Sequence, residues 1–166
     1  MKYILTLLLS LMLTSMVLGQ PEQELSMDEL LYKSLRVTAY YDALDENFYV
    51  AYTNSSAAAE LAVTLFGPES INALRDRAVT VYCYYQLADH RSVSPIVTVT
   101  AMELILPRWE EQLLLQGEEA TAGTLQGINF FRWFLGNLYY RAGMTAAADS
   151  VQTVIKNSQR TLADGE

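Results

Sequence analysis

Only one five-residue stretch of this chain is β-branched throughout, and a lone strand has nothing to pair with. Ile96-Val97-Thr98-Val99-Thr100 is β-branched throughout, which suits a pleated surface. No second run of that kind is present, and no Asn-Gly or Asp-Gly turn stands between two alternating segments. Isolated strand pairs are marginal in water, so the segment is assigned to a helix and the chain to the all-α class. Helix punctuation agrees. Ser26 and Glu29 have the spacing of a capping box. Asn54 and Ser55 offer a second cap ahead of the alanine-rich run from Ala57, which Gly67-Pro68 stops. A third helix is expected from about Glu69 to Asp89, and Ser94-Pro95 reads as an N-cap with proline at the first helical position. Pro107 is expected to restart a helix that Gly117 stops, and two long helices follow, near 124–142 and 145–162, with Gly143 between them.

The apolar spacing assigns each helix a buried face. On the first it is Leu30, Leu31, Ser34, Leu35, Thr38 and Tyr41; on the third it is Ile71, Leu74, Ala78, Val81, Tyr82 and Tyr85.

Ahead of these helices lies a segment of another kind. Lys2 is followed by residues 4–18 without a charge, about the length of a signal-peptide apolar region and short of the roughly 20 residues of a bilayer span. Val17 and Gly19 are compact enough for the −3 and −1 positions of a cleavage site. Residues 1–19 are therefore expected to be a signal peptide, with a retained anchor as the other reading, and 20–166 a single helical domain. The mature chain is then exported, periplasmic or secreted, with no stable membrane span after cleavage.

Composition removes several classes of function. A hydrophobic fraction of 51% is too high for a disordered tail. A formal charge of −8 argues against nucleic acid as a partner. One cysteine and one histidine exclude a disulfide framework, a multi-thiolate zinc site and any constellation of two imidazoles. Cys83 stands between two tyrosines in an apolar helix, as a buried free thiol does. His90, at a helix C-terminus, suits the negative end of the dipole. Glu110-Glu111 and Glu118-Glu119 are adjacent pairs that point different ways on a helix, and Glu103 is separated from Glu110 by Pro107. No phosphate loop or nucleophile elbow is present. The expectation is a protein that is not an enzyme and carries no cofactor or metal.

A double tyrosine falls in the first member of each of three helix pairs: Tyr40-Tyr41, Tyr84-Tyr85 and Tyr139-Tyr140. The last pair carries more. Leu135-Gly136-Asn137-Leu138-Tyr139-Tyr140-Arg141-Ala142-Gly143, with Ala148 beyond, resembles a tetratricopeptide repeat over about residues 131–158. Trp133 departs from that pattern, one residue too close to Leu135, and Gln152 stands where a large apolar residue belongs. The resemblance implies helical hairpins stacked as a short α-solenoid, with a six-helix bundle as the alternative. It also implies a concave, partner-binding wall that includes Trp133, Asn137, Tyr140 and Arg141. Shifting by the double-tyrosine spacing adds Tyr82, Tyr85 and Gln86, and then Thr38 and Tyr41. The function expected is a non-catalytic scaffold or adaptor that binds a protein or peptide. The rivals are a helical carrier of a small apolar ligand and an enzyme whose polar residues converge only in three dimensions.

Overall fold

The structure, a computed structural model, describes residues 25–88, 94–115 and 122–163. All regular elements among them are helices: α1 (Met27–Leu44), α2 (Phe48–Phe66), α3 (Ile71–Leu87), α4 (Pro95–Leu115), α5 (Ala122–Arg141) and α6 (Thr145–Ala163). Each packs chiefly on the helix before it and the helix after it. The result is a run of helical hairpins.

Local chemistry sets several of the ends. The Ser26 hydroxyl accepts from the Glu29 amide at 3.2 Å, and the Glu29 carboxylate accepts from the Ser26 amide at 2.8 Å; this is the expected capping box. Ser70 caps α3 by accepting from Ala73 N at 3.2 Å. Pro95 opens α4, and the β-branched run behind it is helical as assigned. Gly143 takes φ +75° between α5 and α6, a left-handed turn that a side chain would strain.

Two expected boundaries are corrected. Asn54 and Ser55 do not cap a helix, because α2 already starts at Phe48. Inside the helix Ser55 is buried and its hydroxyl donates to the Tyr52 carbonyl, while Asn54 reaches Asp42 across the α1–α2 hairpin. Pro107 does not restart a helix either. α4 passes through it unbroken, with the ring on the exposed side and Leu106 and Trp109 held in the core beside it. On that side the Glu103 carbonyl freed by the missing N–H can be solvated.

The main core lies among α3, α4, α5 and α6, around Leu74, Met102, Trp109, Ile128, Phe134 and Leu138. A smaller one, Tyr32 with Ala58, Ala62 and Ala73, joins α1, α2 and α3. It corrects the buried face of α1. Tyr32 and Ala39 are inside, whereas Leu30, Leu31 and Tyr41 are about half exposed. The small side chains of α2 leave room for a flat tyrosine ring, and its hydroxyl is fixed by Asp76 at 2.7 Å on α3. On α3 the expected stripe holds: Leu74, Ala78 and Tyr85 are buried, with Ile71, Val81 and Tyr82 packed at the edge.

Gly136 is a close approach between α5 and α6. A Cβ there would lie 3.5 Å from Val151 Cγ1 and 3.7 Å from Gln152 Nε2. One carbon fits and four do not. Gly136→Ala is expected to gain roughly 0.5–1 kcal/mol of helix propensity, whereas Gly136→Leu is expected to lose about 1–3 kcal/mol by overpacking. The exposed neighbour variant Asn137→Ala should leave the melting temperature nearly unchanged. Thermal melts of the three variants separate these outcomes, and an unchanged melting temperature for Gly136→Leu would dismiss the close approach.

Candidate functional site

Aromatic side chains run in a row across α3 and α5. Tyr82 meets Phe134 and Phe130 with centroids 5.2 and 5.4 Å apart, and Phe48, at the start of α2, at 6.3 Å. Phe130 continues the row to Trp133 at 6.1 Å. Most of these pairs are edge-to-face, the arrangement that the ring quadrupole favours. The far end is open to solvent: Trp133 is 43% exposed and Tyr140 72%.

Polar groups sit along the same strip. Gln86 lies one turn beyond Tyr82 on α3. Asn137, one turn beyond Trp133, donates Nδ2 to the Trp133 carbonyl at 2.8 Å. Arg141 donates to the Tyr85 hydroxyl at 2.9 Å, with its guanidinium 5.9 Å from the ring centroid. Such a surface can stack on flat or aliphatic groups and donate hydrogen bonds. Among the described residues no three His, Cys, Asp or Glu side chains gather as metal ligands would. Cys83 is fully buried, and burial pushes its thiol up to about 12, so little thiolate forms at neutral pH.

Of the nine residues expected on the wall, Tyr82, Gln86, Trp133, Asn137, Tyr140 and Arg141 belong to these facing strips of α3 and α5. Tyr85 lies beneath, 5% exposed and against Phe134. Thr38 and Tyr41 are elsewhere. At 100° per residue Tyr41, nine positions after Tyr32, lies on the opposite side of α1, and Tyr32 is the residue turned toward α3. The double tyrosines are not equivalent, which explains the misplacement. The buried member is the second in α3 (Tyr85) and the first in α5 (Tyr139), while Tyr84 and Tyr140 are exposed. Phe48 and Phe130 join the row without having been expected there. Phe130 was findable, being three residues before Trp133 and seven before Asn137; Phe48 depends on the α1–α2 turn and left no local signal. His90 lies outside the described residues.

A buried polar cluster binds α1 to α3. Asp76 accepts from Tyr32 Oη at 2.7 Å and from Arg75 Nε at 3.0 Å, and its carboxylate is 3.4 Å from Arg36 Nε. Arg75 also donates to the Tyr32 hydroxyl and to Asn72 Oδ1. Two guanidiniums thus share one carboxylate. Burial, with the Arg75 charge next, pulls Arg36 below its ordinary value. For Arg75 burial pulls the same way, but Asp76 and Tyr32 outweigh it and raise the group. Between α4 and α5 the links are Tyr139 to Glu103 at 2.6 Å and Arg132 to Glu110 at 2.9 Å. Both glutamates of that α4 face are therefore occupied in joining helices.

The clusters predict alkaline sensitivity. Burial above all pushes Tyr32 up to about 12, and burial followed by Glu103 does the same for Tyr139. Between their ordinary value near 10 and about 12, the unfolded chain has released these protons and the folded chain has not. Their stabilisation is thus complete below about pH 10 and lost as pH rises toward 12. For Tyr32, 3% exposed, this amounts to roughly 2–3 kcal/mol. Urea midpoints across that range should fall in the wild type and fall less steeply in Tyr32→Phe; equal slopes would contradict the assignment.

A separate groove of about 290 Å³ opens among α2, α3 and α4, lined by Ala59, Val63, Val81 and Ile105 with Glu60 and Arg77 among its polar residues. It is aliphatic and open to solvent. No helix among the described residues is long and apolar enough to cross a membrane. Comparison of the chain with protein-family models, with curated proteins and with solved structures finds no match.

Proposed function

We propose that this chain is an exported, non-catalytic protein of tetratricopeptide-like helical hairpins, and that it binds a protein or peptide in the periplasm or outside the cell. The observation that carries the reading is the aromatic row on α3 and α5, with Trp133 and Tyr140 exposed beside Gln86, Asn137 and Arg141. Exposed rings of this kind on rigid helices supply large contact area at small ordering cost. The openness of the α2–α4 groove supports a binder of macromolecules over a carrier, which would enclose its ligand. Export rests on residues 1–19, and the mature chain then starts at Gln20.

The test is a comparison of variants on protein recovered with its partner from the native source. Trp133→Ala and Tyr140→Ala change exposed side chains, so helicity and melting should hold. Affinity for the co-purifying partner should fall about 10-fold or more for Trp133→Ala, the size of loss at interface anchors. Unchanged affinity in both variants would overturn the site. Intact mass of the native protein tests export, since retention of Met1 contradicts it.

A further inference from the structure

The outer face of α1 has the wrong character for the end of a helical stack. Met27, Leu30, Leu31, Ser34, Val37 and Tyr41 fall on one arc of about 120° that holds no charged side chain. All six are exposed, Met27 at 79%. The opposite end of the stack differs: α6 turns Asp149, Ser150, Gln152 and Lys156 to solvent. Terminal elements of a stack need such a polar outer surface, because nothing packs beyond them.

We propose that this face pairs with the same face of a second copy of the chain, the two α1 helices lying antiparallel across a two-fold axis. Such an interface must be complementary to itself, and the stripe is. Its side chains recur as a heptad seam, with Met27, Ser34 and Tyr41 at one position and Leu30, Val37 and Leu44 at the other. An antiparallel alignment centred between Leu35 and Arg36 sets Met27 of one copy on Leu44 of the other, Leu30 on Tyr41, and Ser34 on Val37. Smaller side chains thus meet larger ones in each layer. A parallel pair would stack Ser34 on Ser34 and Tyr41 on Tyr41, a gap beside a crowded layer. The five apolar side chains of the arc expose roughly 500 Å² in all, so two copies bury about 1,000 Å², the lower bound for a specific interface. Charges stay out of the seam. Lys33 flanks it at the level of the other copy's Tyr40, a ring its ammonium can lie against, while Asp28 and Asp42 stand farther out on the opposite flank. Each copy is acidic overall, so pairing strengthens as salt screens that repulsion. The interface is built on α1 alone and does not depend on the aromatic row of α3 and α5.

Sedimentation equilibrium of the protein, as its native host processes it, tests the pairing between roughly 1 μM and 1 mM, the span in which a small interface associates. A reversible monomer–dimer equilibrium is expected. Leu30→Glu should weaken it about 100-fold or more, because the substitution enters two layers and buries a carboxylate without a partner in each. Leu30 is about half exposed, so melting of the dilute variant should match the wild type. Trp133→Ala should leave the equilibrium unchanged. Oxidative cross-linking reads the register, since the single native thiol, Cys83, is fully buried. Leu30→Cys mixed with Tyr41→Cys should give a disulfide-linked pair. Leu30→Cys alone should not, because the two copies of residue 30 lie about 16 Å apart along the axis in this alignment. A monomer throughout the range, a dimer that Leu30→Glu does not weaken, or cross-linking of Leu30→Cys to itself would each overturn the proposal.

Discussion

Asp76→Ala is expected to lower the unfolding free energy by about 3–5 kcal/mol, the usual result of removing one partner from a buried ion pair. The Asp76 carboxylate is buried and is the acceptor on which Arg75, Arg36 and Tyr32 converge from two helices. Its loss leaves two guanidiniums in a low-dielectric site with no counter-charge there. A domain of this size has roughly 5–15 kcal/mol in all, so the variant should be near unfolding at 37 °C. Glu69→Ala provides the contrast. The Glu69–Arg108 pair is about half exposed at both partners, and exposed pairs contribute about 0–1 kcal/mol. Urea unfolding of the two variants decides the point. If Asp76→Ala cost no more than Glu69→Ala, the cluster would not be what holds the first hairpin to the second.

The second large effect lies at Trp109. Its side chain is fully buried in the main core, tilted against Phe131 with centroids 5.8 Å apart. Trp109→Ala should cost about 3–5 kcal/mol through the cavity it leaves. Trp109→Phe should cost far less than its lost volume suggests. The indole Nε1 is buried without a hydrogen-bond partner among the described residues, and a buried unsatisfied donor costs about 1–3 kcal/mol. Phenylalanine keeps a ring against Phe131 and removes that donor. Denaturant midpoints of the two variants therefore diverge; equal losses would mean that Nε1 is satisfied in solution.

What could be read from the residue order follows from how local each interaction is. Capping at Ser26, the start at Pro95 and the turn at Gly143 involve groups a few residues apart, so their types and spacing suffice. Most of the aromatic strip on α3 and α5 was legible for a related reason: Trp133, Asn137 and Arg141 share a helix face whatever packs beneath them. The misjudged boundaries fall where a side chain found a partner that local pattern does not announce. Asn54 reads as a cap until Asp42 on the neighbouring helix engages it. Pro107 reads as a break until the apolar residues on either side of it are held in a core contributed by other helices.

Residue order alone makes this chain helical and places each helix roughly, because helix formation depends on propensity, caps and breakers within a few positions. Which way α1 turns depends on contacts with distant helices. Its apolar spacing favours burying Leu30, Leu31 and Tyr41, yet the helix turns Tyr32 inward to the Asp76 carboxylate 44 residues away and to the alanines of α2. The buried polar network outweighs the apolar periodicity there, since stripping Tyr32 and Arg36 from the desolvated Asp76 carboxylate costs more than leaving Leu30 and Leu31 half exposed. The rotation puts Thr38 and Tyr41 away from the aromatic row of α3 and α5, and it is what leaves an apolar stripe on the surface of α1.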